Sequence, residues 1–545
     1  MVKPPRRARR LAPAWVGIVS ALAGLGIGEL VAALAAPTSS PLASTGAALI
    51  DLAPGWAKEV VVGLFGTGDK VAIITLLVVV VIAAAAGAGI LEARRRFTGM
   101  AVFAALGILA SAAAVTRAGA NPMFAFPAVI GALIAIATLR RLIGRLPTEA
   151  AVVTSAVSPA RPTGTGAPLV AHDSPPTPKN DRPNLRRPVE AAPSRRSFLI
   201  TTGVTAIVGI AAGVVAQAST AAGRAAEAAR AALRLPTSAT PVAPPTDAMS
   251  FDIDGLSPLI TPNADFYRID TALIVPAVDP TTWTLRIHGM VENEVTLTFA
   301  ELLALPMQQS DTTLMCVSNY VGGDLISNAV WTGYPIRELL ARAVPTADAD
   351  MVLSTSADGW TASTPLEALT DERNAILAVG MNGELLPAEH GFPVRMVVPG
   401  LYGYVSATKW VTDLQVTRFS DATAYWTDRG WGEKGPIKIS SRIDVPTRVA
   451  DGAGSVVVAG VAWAQHTGIS KVEVQVDDGA WAEATLADEL SIDTWRQWMW
   501  SWNATEGEHT ITVRATDANG KLQIETPADV LPDGATGYHS VTLTV

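Results

Sequence analysis

Thr312-Thr313-Leu314-Met315-Cys316-Val317-Ser318-Asn319 carries the only cysteine in a chain of 545 residues. One thiol has no intramolecular disulfide to make and cannot build a multi-cysteine zinc or iron–sulfur site. On its own, such a cysteine reads as a small buried hydrophobe. The residues that follow argue against that reading. Asn319, the pair Gly322-Gly323 and then Ser327-Asn328-Ala329-Val330-Trp331-Thr332-Gly333 make a stretch too polar and glycine-rich for simple core. A thiolate offered from such a loop suits a soft-metal ligand or a nucleophile.

Outward from this stretch the composition is uneven. Up to about residue 218 Ala, Val, Leu, Ile and Gly dominate, whereas beyond residue 250 Asp, Glu, Thr and Trp are common. Five apolar runs, 13–36, 71–91, 98–116, 122–139 and 198–218, approach or reach the length of a membrane-spanning helix. The stretch 42–66 is interrupted by Asp51, Pro54, Lys58 and Glu59 and reads as an external interfacial segment. Arginines cluster before the first run (Arg6, Arg7, Arg9, Arg10), after the second (Arg94, Arg95, Arg96) and after the fourth (Arg140, Arg141, Arg145). Positive charge stays inside, so the N-terminus is expected in the cytoplasm and everything beyond about residue 219 on the outer face of a plasma membrane.

The pattern divides the chain into 1–146, a transmembrane region of about four helices, and 147–197, a Pro-, Ser-, Thr- and Arg-rich linker expected to be disordered in the cytoplasm. A fifth transmembrane helix is expected over 198–218. Its entry, Ser194-Arg195-Arg196-Ser197-Phe198-Leu199, looks like a twin-arginine export signal, a route that carries folded, cofactor-loaded proteins. Residues 219–250 read as a stalk and Pro-rich tether. No histidine or cysteine precedes His172, which excludes a bis-histidine haem in the first four spans, and Glu29 is their main intramembrane charge. Anchoring is therefore the expected role of residues 1–218. The net charge of −8 favours neither nucleic acid nor anionic lipid.

From residue 251 short β-type runs alternate with turns. Trp283 to Gly289 reads as a strand, Phe299 to Leu305 as a short helix begun by Thr298, and Val394 to Val398 as a buried strand closed by Pro399-Gly400. An ordered series of motifs then resembles the sulfite oxidase family. It comprises Ile260-Thr261-Pro262-Asn263 with Phe266-Tyr267, Val278 to Trp283, Leu297 to Leu302 and Cys316-Val317-Ser318-Asn319. It continues with Trp331-Thr332-Gly333, Met381-Asn382-Gly383, His390-Gly391-Phe392-Pro393-Val394-Arg395 and Ser406-Ala407-Thr408-Lys409-Trp410. The resemblance covers roughly 251–545 and implies a molybdopterin-dependent oxidoreductase with an α+β cofactor domain over 251–430.

By that resemblance Cys316 is the metal ligand of a molybdenum–molybdopterin centre, and Tyr267, Arg268, His390, Arg395, Ser406, Thr408 and Lys409 hold the pterin and its phosphate. Cations and N–H or O–H donors are what an anionic phosphate requires. Taken singly, Arg395 also fits an ion pair with Glu389 or Asp413, His390 a turn cap, and Lys409 a cation–π contact with Trp410. The ordered series with Cys316 favours the cofactor.

Sulfite-oxidising members of the family carry an arginine shortly after the cysteine motif, where this chain has Asn319-Tyr320-Val321-Gly322-Gly323. They also carry a tyrosine before the Asn-Gly pair, where this chain has Val379-Gly380-Met381. The sequence therefore favours a neutral substrate, a sulfoxide or N-oxide reduced by oxygen-atom transfer, with Cys316, Asn319 and Tyr320 at the reacting centre and Tyr402 and Tyr404 lining it. Sulfite oxidation and a cofactor-free cell-surface binding protein are the alternatives. Residues 431–545 alternate with period two in Val456 to Trp463 and Ile469 to Val476, as an immunoglobulin-like sandwich does, and resemble the family's dimerisation domain. No haem or iron–sulfur motif follows, so a separate electron donor or acceptor is expected, along with a possible homodimer.

Overall fold

The computed structural model describes residues 8–35, 39–53, 69–117, 120–146, 202–207, 209–211, 214, 221–272, 274–446 and 454–545. The twin-arginine-like stretch, the linker 147–197 and most of the expected fifth span lie outside them. Two compact units emerge, one from 1–32, 78–111 and 125–218, the other from 33–77, 112–124 and 219–545.

Among the described residues four helices are long and apolar enough to cross a membrane: Leu11–Leu34, Ile74–Arg94, Thr98–Val115 and Pro122–Ile143. They belong to α1 (Ala8–Ala35), α3 (Asp69–Arg94), α4 (Thr98–Val115) and α5 (Phe126–Ile143), while α2 (Pro41–Leu52) lies between the first two. Backbone-to-backbone approach sets their packing. A Cβ on Gly17 would meet the Ala85 carbonyl at 1.9 Å, and one on Gly89 the Pro13 carbonyl at 2.0 Å. Small residues at such crossings let apolar helices gain contact where no hydrophobic driving force separates helix from lipid. Val79, Ile108 and Leu133 face outward, as a bilayer requires. At the turn into α4 the Glu92 carboxylate accepts from the N–H groups of Phe97, Gly99 and Met100, satisfying donors that have no partner within the helix.

In the second unit the cofactor domain is built on two five-stranded sheets. One has the order β2 (Val295–Thr298), β1 (Thr284–Gly289), β10 (Val411–Thr417), β5 (Met351–Ser356), β6 (Thr361–Pro365). The other runs β3 (Gln308–Met315), β4 (Ile326–Pro335), β7 (Ile376–Met381), β8 (Glu384–Leu385), with β9 (Arg395–Val397) also paired to β7. In β1 Leu285 and Ile287 point inward and their neighbours outward, the period-two pattern of a half-buried strand. The expected helix after Thr298 is Phe299–Leu303, and its start is a capping box in which Thr298 and Glu301 satisfy each other's backbone. A single apolar core runs from Trp283 and Leu302 through Trp331 and Val397 to Trp463 and Trp495.

Beyond residue 440 the chain is all β. The sheets β11 (Ser440–Val445), β12 (Gly454–Trp463), β16 (Arg496–Ala504), β15 (Thr485–Leu486) and β14 (Ala482–Glu483), β13 (Ile469–Val476), β17 (Glu508–Asp517), β18 (His539–Thr544), each in that order, are both antiparallel. Ile443, Val458 and Trp498 of the first share a core with Val472, Val474 and Val513 of the second. Of the four tryptophans between 495 and 502, Trp495, Trp498 and Trp502 are buried and Trp500 is half-buried. The Pro-rich segment 236–247 is not a free tether: Thr240 bridges to Gln308 at the edge of β3, and the Ala239 N–H donates to Met307 O at 2.7 Å.

Candidate active site

The β3–β4 ladder runs from Gln308 opposite Gly333 to Met315 opposite Ile326, and Cys316 is the first residue beyond it. The loop is closed by its own polar groups. The Cys316 N–H donates to Leu325 O at 2.9 Å, the Asn319 N–H to Cys316 O at 3.1 Å, and the Leu325 N–H to Asn319 Oδ1 at 2.8 Å. Asn319 is only 2% exposed, yet its amide nitrogen meets no acceptor among the described residues. Cys316 is half-buried at the loop's mouth, whereas Tyr320 stands exposed.

A cationic cluster lies beside this loop. Asp270 receives Arg268 Nε at 3.1 Å and Lys409 Nζ at 2.8 Å. Lys409 also stands 5.4 Å from the Trp410 ring, so the cation–π contact left open by the sequence coexists with an ion pair. Arg395 projects from β9 and is 4% exposed. It lies over the Trp331 ring at 4.9 Å and donates to His390 O at 3.2 Å and Met396 O at 3.5 Å. It makes neither ion pair that the sequence allowed, since Asp413 takes His288 instead. Burial pulls its guanidinium down to about 10, with the Tyr267 hydroxyl and the Asp270 carboxylate opposing, so it remains charged at neutral pH.

His390 is held neutral. Burial and then the cations Arg395 and Lys409 push it down to about 3. Its Nε2 is 3.2 Å from the Asn263 carbonyl, which only accepts, so Nε2 carries the proton. Arg268, Lys409 and Arg395 against Asp270 leave a net surplus of about two positive charges around a neutral imidazole, which matches a phosphate monoester with its roughly −1.5 to −2 charge. A buried guanidinium whose hydrogen bonds go to carbonyls, with Asp270 already shared by Arg268 and Lys409, is poorly compensated by the protein itself, and an anionic group relieves it. The cluster thus fits a phosphorylated pterin.

Ser406 and Thr408 are fully buried, and their hydroxyls are committed to the protein: Ser406 donates to Tyr402 O at 2.9 Å, and Thr408 shares a 2.7 Å bond with Ser354. They lie in the turn that delivers Lys409.

Aromatic residues also gather at the loop. A Cβ placed on Gly403 would lie 3.7 Å from Met315 O and 3.8 Å from the Tyr267 hydroxyl, which puts Tyr402 and Tyr404 next to Tyr267 and the Cys316 loop. Burial raises the Tyr267 phenol far above its ordinary value, with Cys316 adding and Arg395 opposing. Burial raises Tyr402 to about 12, where the Lys438 N–H opposes and Cys316 and Asp533 add. Tyr404 is raised by burial and then by Asp533, and it donates to Gly432 O at 2.7 Å. Behind Tyr404 sits Trp431, buried, its indole N–H without a partner among the described residues. These phenols remain neutral hydrogen-bond donors at every physiological pH.

Several members of the site were not singled out from sequence. Asp270, the hub of the cations, lies two residues after Arg268, a spacing too common to signal anything. Trp331 under Arg395 belongs to a quoted motif, but its role as a platform depends on β9 pairing with β7. Trp431, Lys438 and Asp533 reach the site from beyond the cofactor domain, and nothing local announces them.

Residues 272–426 match the family described as "Oxidoreductase molybdopterin binding domain". The chain is 33% identical over 157 residues, 29% of its own length and 76% of the other's, to the uncharacterized oxidoreductase YuiH of Bacillus subtilis (strain 168). It is 29% identical over 324 residues, half of its own length, to the mitochondrial sulfite oxidase of Mus musculus, of which it covers 58%. Among solved structures, the sulfane dehydrogenase SoxCD from Paracoccus pantotrophus superposes with a TM-score of 0.47 at 24% identity, over 53% of this chain and 82% of that one.

Proposed function

The chain belongs to the sulfite oxidase family of molybdopterin-dependent oxidoreductases, and from that premise we propose a membrane-anchored enzyme, its catalytic domain outside the cytoplasm, that reduces a small neutral sulfoxide or N-oxide by oxygen-atom transfer. The observation that carries the substrate class is the aromatic group at the Cys316 loop, which offers neutral phenols beside the carboxylate of Asp533, while Arg268 and Lys409 are tied to Asp270. A dianionic substrate needs free cations there; an oxide oxygen needs hydrogen-bond donors.

Cys316 would ligate the metal, Arg395, Arg268 and Lys409 would hold the phosphate, and neutral His390 would pack beside the pterin. When bound, the molybdenum–pterin centre supplies a two-electron reservoir and a place for the transferred oxygen. The remaining work belongs to the chain. The Tyr402 oxygen takes the Lys438 N–H, which leaves its proton to donate to a substrate oxygen. The unpartnered amide of Asn319 is a second donor. Trp431 and the ring of Tyr404 exclude water from the back of the pocket. For each oxide reduced to sulfide or amine, two electrons and two protons enter and one water leaves. The electrons come from a separate partner.

Sulfite oxidation is the second reading. It is favoured by Lys438, whose ammonium donates to Gly534 O at 2.7 Å beside the Tyr402 hydroxyl, and by the names of the relatives. Steady-state assays of the full-length enzyme decide between them, using a dialkyl sulfoxide and a trialkylamine N-oxide with a reduced viologen, and sulfite with ferricyanide. We expect kcat/KM at least tenfold higher for an oxide. The reverse order overturns the reading.

The arginine-rich inner flanks support an N-terminus in the cytoplasm. The two facing four-stranded sheets support an immunoglobulin-like C-terminal domain, which we take as the surface for a homodimer.

A further inference from the structure

One carboxylate gathers three segments far apart in sequence. Asp51 lies in the last turn of α2, and its Oδ2 pairs with Arg117 in the short connection after α4. Its Oδ1 accepts from the Tyr425 hydroxyl at 3.1 Å, across 374 residues of chain. Its backbone oxygen accepts from Arg429 Nη2, also at 3.1 Å. The Arg429 guanidinium lies 3.7 Å from the centre of the Tyr425 ring and donates to the Tyr425 carbonyl, so both groups are set in place before Asp51 is met. Arg117 and Asp51 are 24% and 34% exposed, which sets this cluster apart from a solvated surface pair. The Tyr425 phenol is raised by burial and by the charge of Asp51, so it stays a donor.

The contacts agree with the path of the chain. At 12 residues α2 spans about 18 Å, short of the roughly 30 Å of a bilayer core, and is suited to lie at the interface. The connections holding Asp51 and Arg117 are separated by two spanning helices, α3 and α4, so they emerge on the same face. Tyr425 also begins the aromatic series that backs the active site. Its ring is 5.2 Å from Trp426, Trp426 is 6.2 Å from Trp431, and Trp431 is 5.8 Å from Tyr404.

We propose that Asp51 is the docking point through which the segment after the first span holds the catalytic domain at the outer membrane face, with Arg117, Tyr425 and Arg429 as its partners. The clamp backs the aromatic series that runs from Tyr425 to Tyr404, so α2 and the connection after α4 belong to the same compact unit as the catalytic domain. It rests on the outward orientation given above and is independent of which substrate the enzyme uses.

The test uses the full-length chain in its membrane. A Leu52→Cys/Asp428→Cys variant, with both cysteines at exposed positions next to the clamp and its four residues left in place, is treated with a short bismaleimide, and the joined peptides are sought by mass spectrometry. The wild type, with Cys316 alone, is the blank, and unchanged molybdenum content shows that the variant folds. In parallel, Leu52→Cys and Glu433→Cys, both at exposed positions, are labelled on intact cells with a membrane-impermeant maleimide. The expected result is a 52–428 link that is abolished by prior denaturation, with Leu52→Cys and Glu433→Cys labelled from outside. If both label from outside and each cysteine of the pair reacts singly but no link forms, the clamp is overturned while the orientation stands. Labelling of Leu52→Cys only after lysis overturns the orientation and the clamp together.

Discussion

At the scale of single residues, the site is a set of groups whose charge states are fixed by burial. On the proposed reading, Arg395 is a buried cation that its hydrogen-bonding carbonyls compensate poorly, so its charge would oppose the stability of the empty protein and support the loaded one. Arg395→Met is therefore expected to lower pterin and molybdenum content at least tenfold without lowering the melting temperature of the empty protein; elemental analysis and a thermal melt check the two halves. Cys316→Ser in the loaded enzyme should alter the molybdenum EPR signal, because a soft ligand is exchanged for a hard one. Asp311 is a different case, buried on β3 and outside the site. Burial raises its carboxyl to about 6. Since the folded value lies above the unfolded one of about 3.9, the unfolded chain ionises first as pH rises. Stability is then lost between roughly pH 4 and pH 6 and is level above. Partial solvent screening limits the effect to at most about 2 kcal/mol. Melts of wild type and Asp311→Asn across that range should diverge as pH rises, with the variant the more stable above pH 6.

At the scale of elements, what the sequence made legible is what short-range chemistry determines. Thr298 begins a short helix, and its start forms as a capping box with Glu301. Asn382-Gly383, legible only as part of a family motif, forms a two-residue hairpin in which both residues adopt positive φ, +50° and +82°, between β7 and β8. The alternation in Val456 to Trp463 and Ile469 to Val476 gives β12 (Gly454–Trp463) and β13 (Ile469–Val476) with their faces assigned. The cation hub at Asp270, the Trp331 platform and the Asp51 cluster were not legible, because each depends on register or on partners far away in sequence. Asn382 belongs to both classes. Its turn is local, but its side chain accepts from the Val330 N–H at 2.9 Å and donates to Thr261 O and Asn263 Oδ1, tying the hairpin to the segment that carries Tyr267. Asn382→Ala loses the bonds and strains the backbone, so a loss of about 3 kcal/mol is expected. Asn382→Gly keeps the backbone and loses only the bonds, about 2 kcal/mol. Thermal unfolding of both should place Gly between Ala and wild type; equal losses would mean that backbone strain contributes nothing.

At the scale of the whole molecule, the stretch leading into the catalytic domain is part of its fold. Composition alone makes 236–247 a spacer, since Pro-rich polar chain has little to bury. Its neighbours decide otherwise. Leu233 and Leu235 pack against the main core, and Arg230 donates to Leu386 O at 3.0 Å. Further along, the Val242 N–H donates to Gln309 Oε1, Ala248 O receives the Asp488 N–H, and the Phe251 N–H donates to Gln497 Oε1. The segment thus covers the Gln308–Gln309 end of the outer edge of β3, whose other end is met by Ser491 and Asp493, and so leaves fewer backbone groups open to pairing with another chain. It also stitches the cofactor domain to the β domain behind it. Burying two leucines contributes roughly 3 kcal/mol and the bonds about 2 more. A fragment beginning at residue 251 is therefore expected to melt roughly 10 °C below one beginning at residue 221. With that end of the β3 edge bare, it should also aggregate on heating where the longer fragment does not. Differential scanning fluorimetry with light scattering on the two fragments reads both effects, and equal melting temperatures would return the segment to the role of a passive tether.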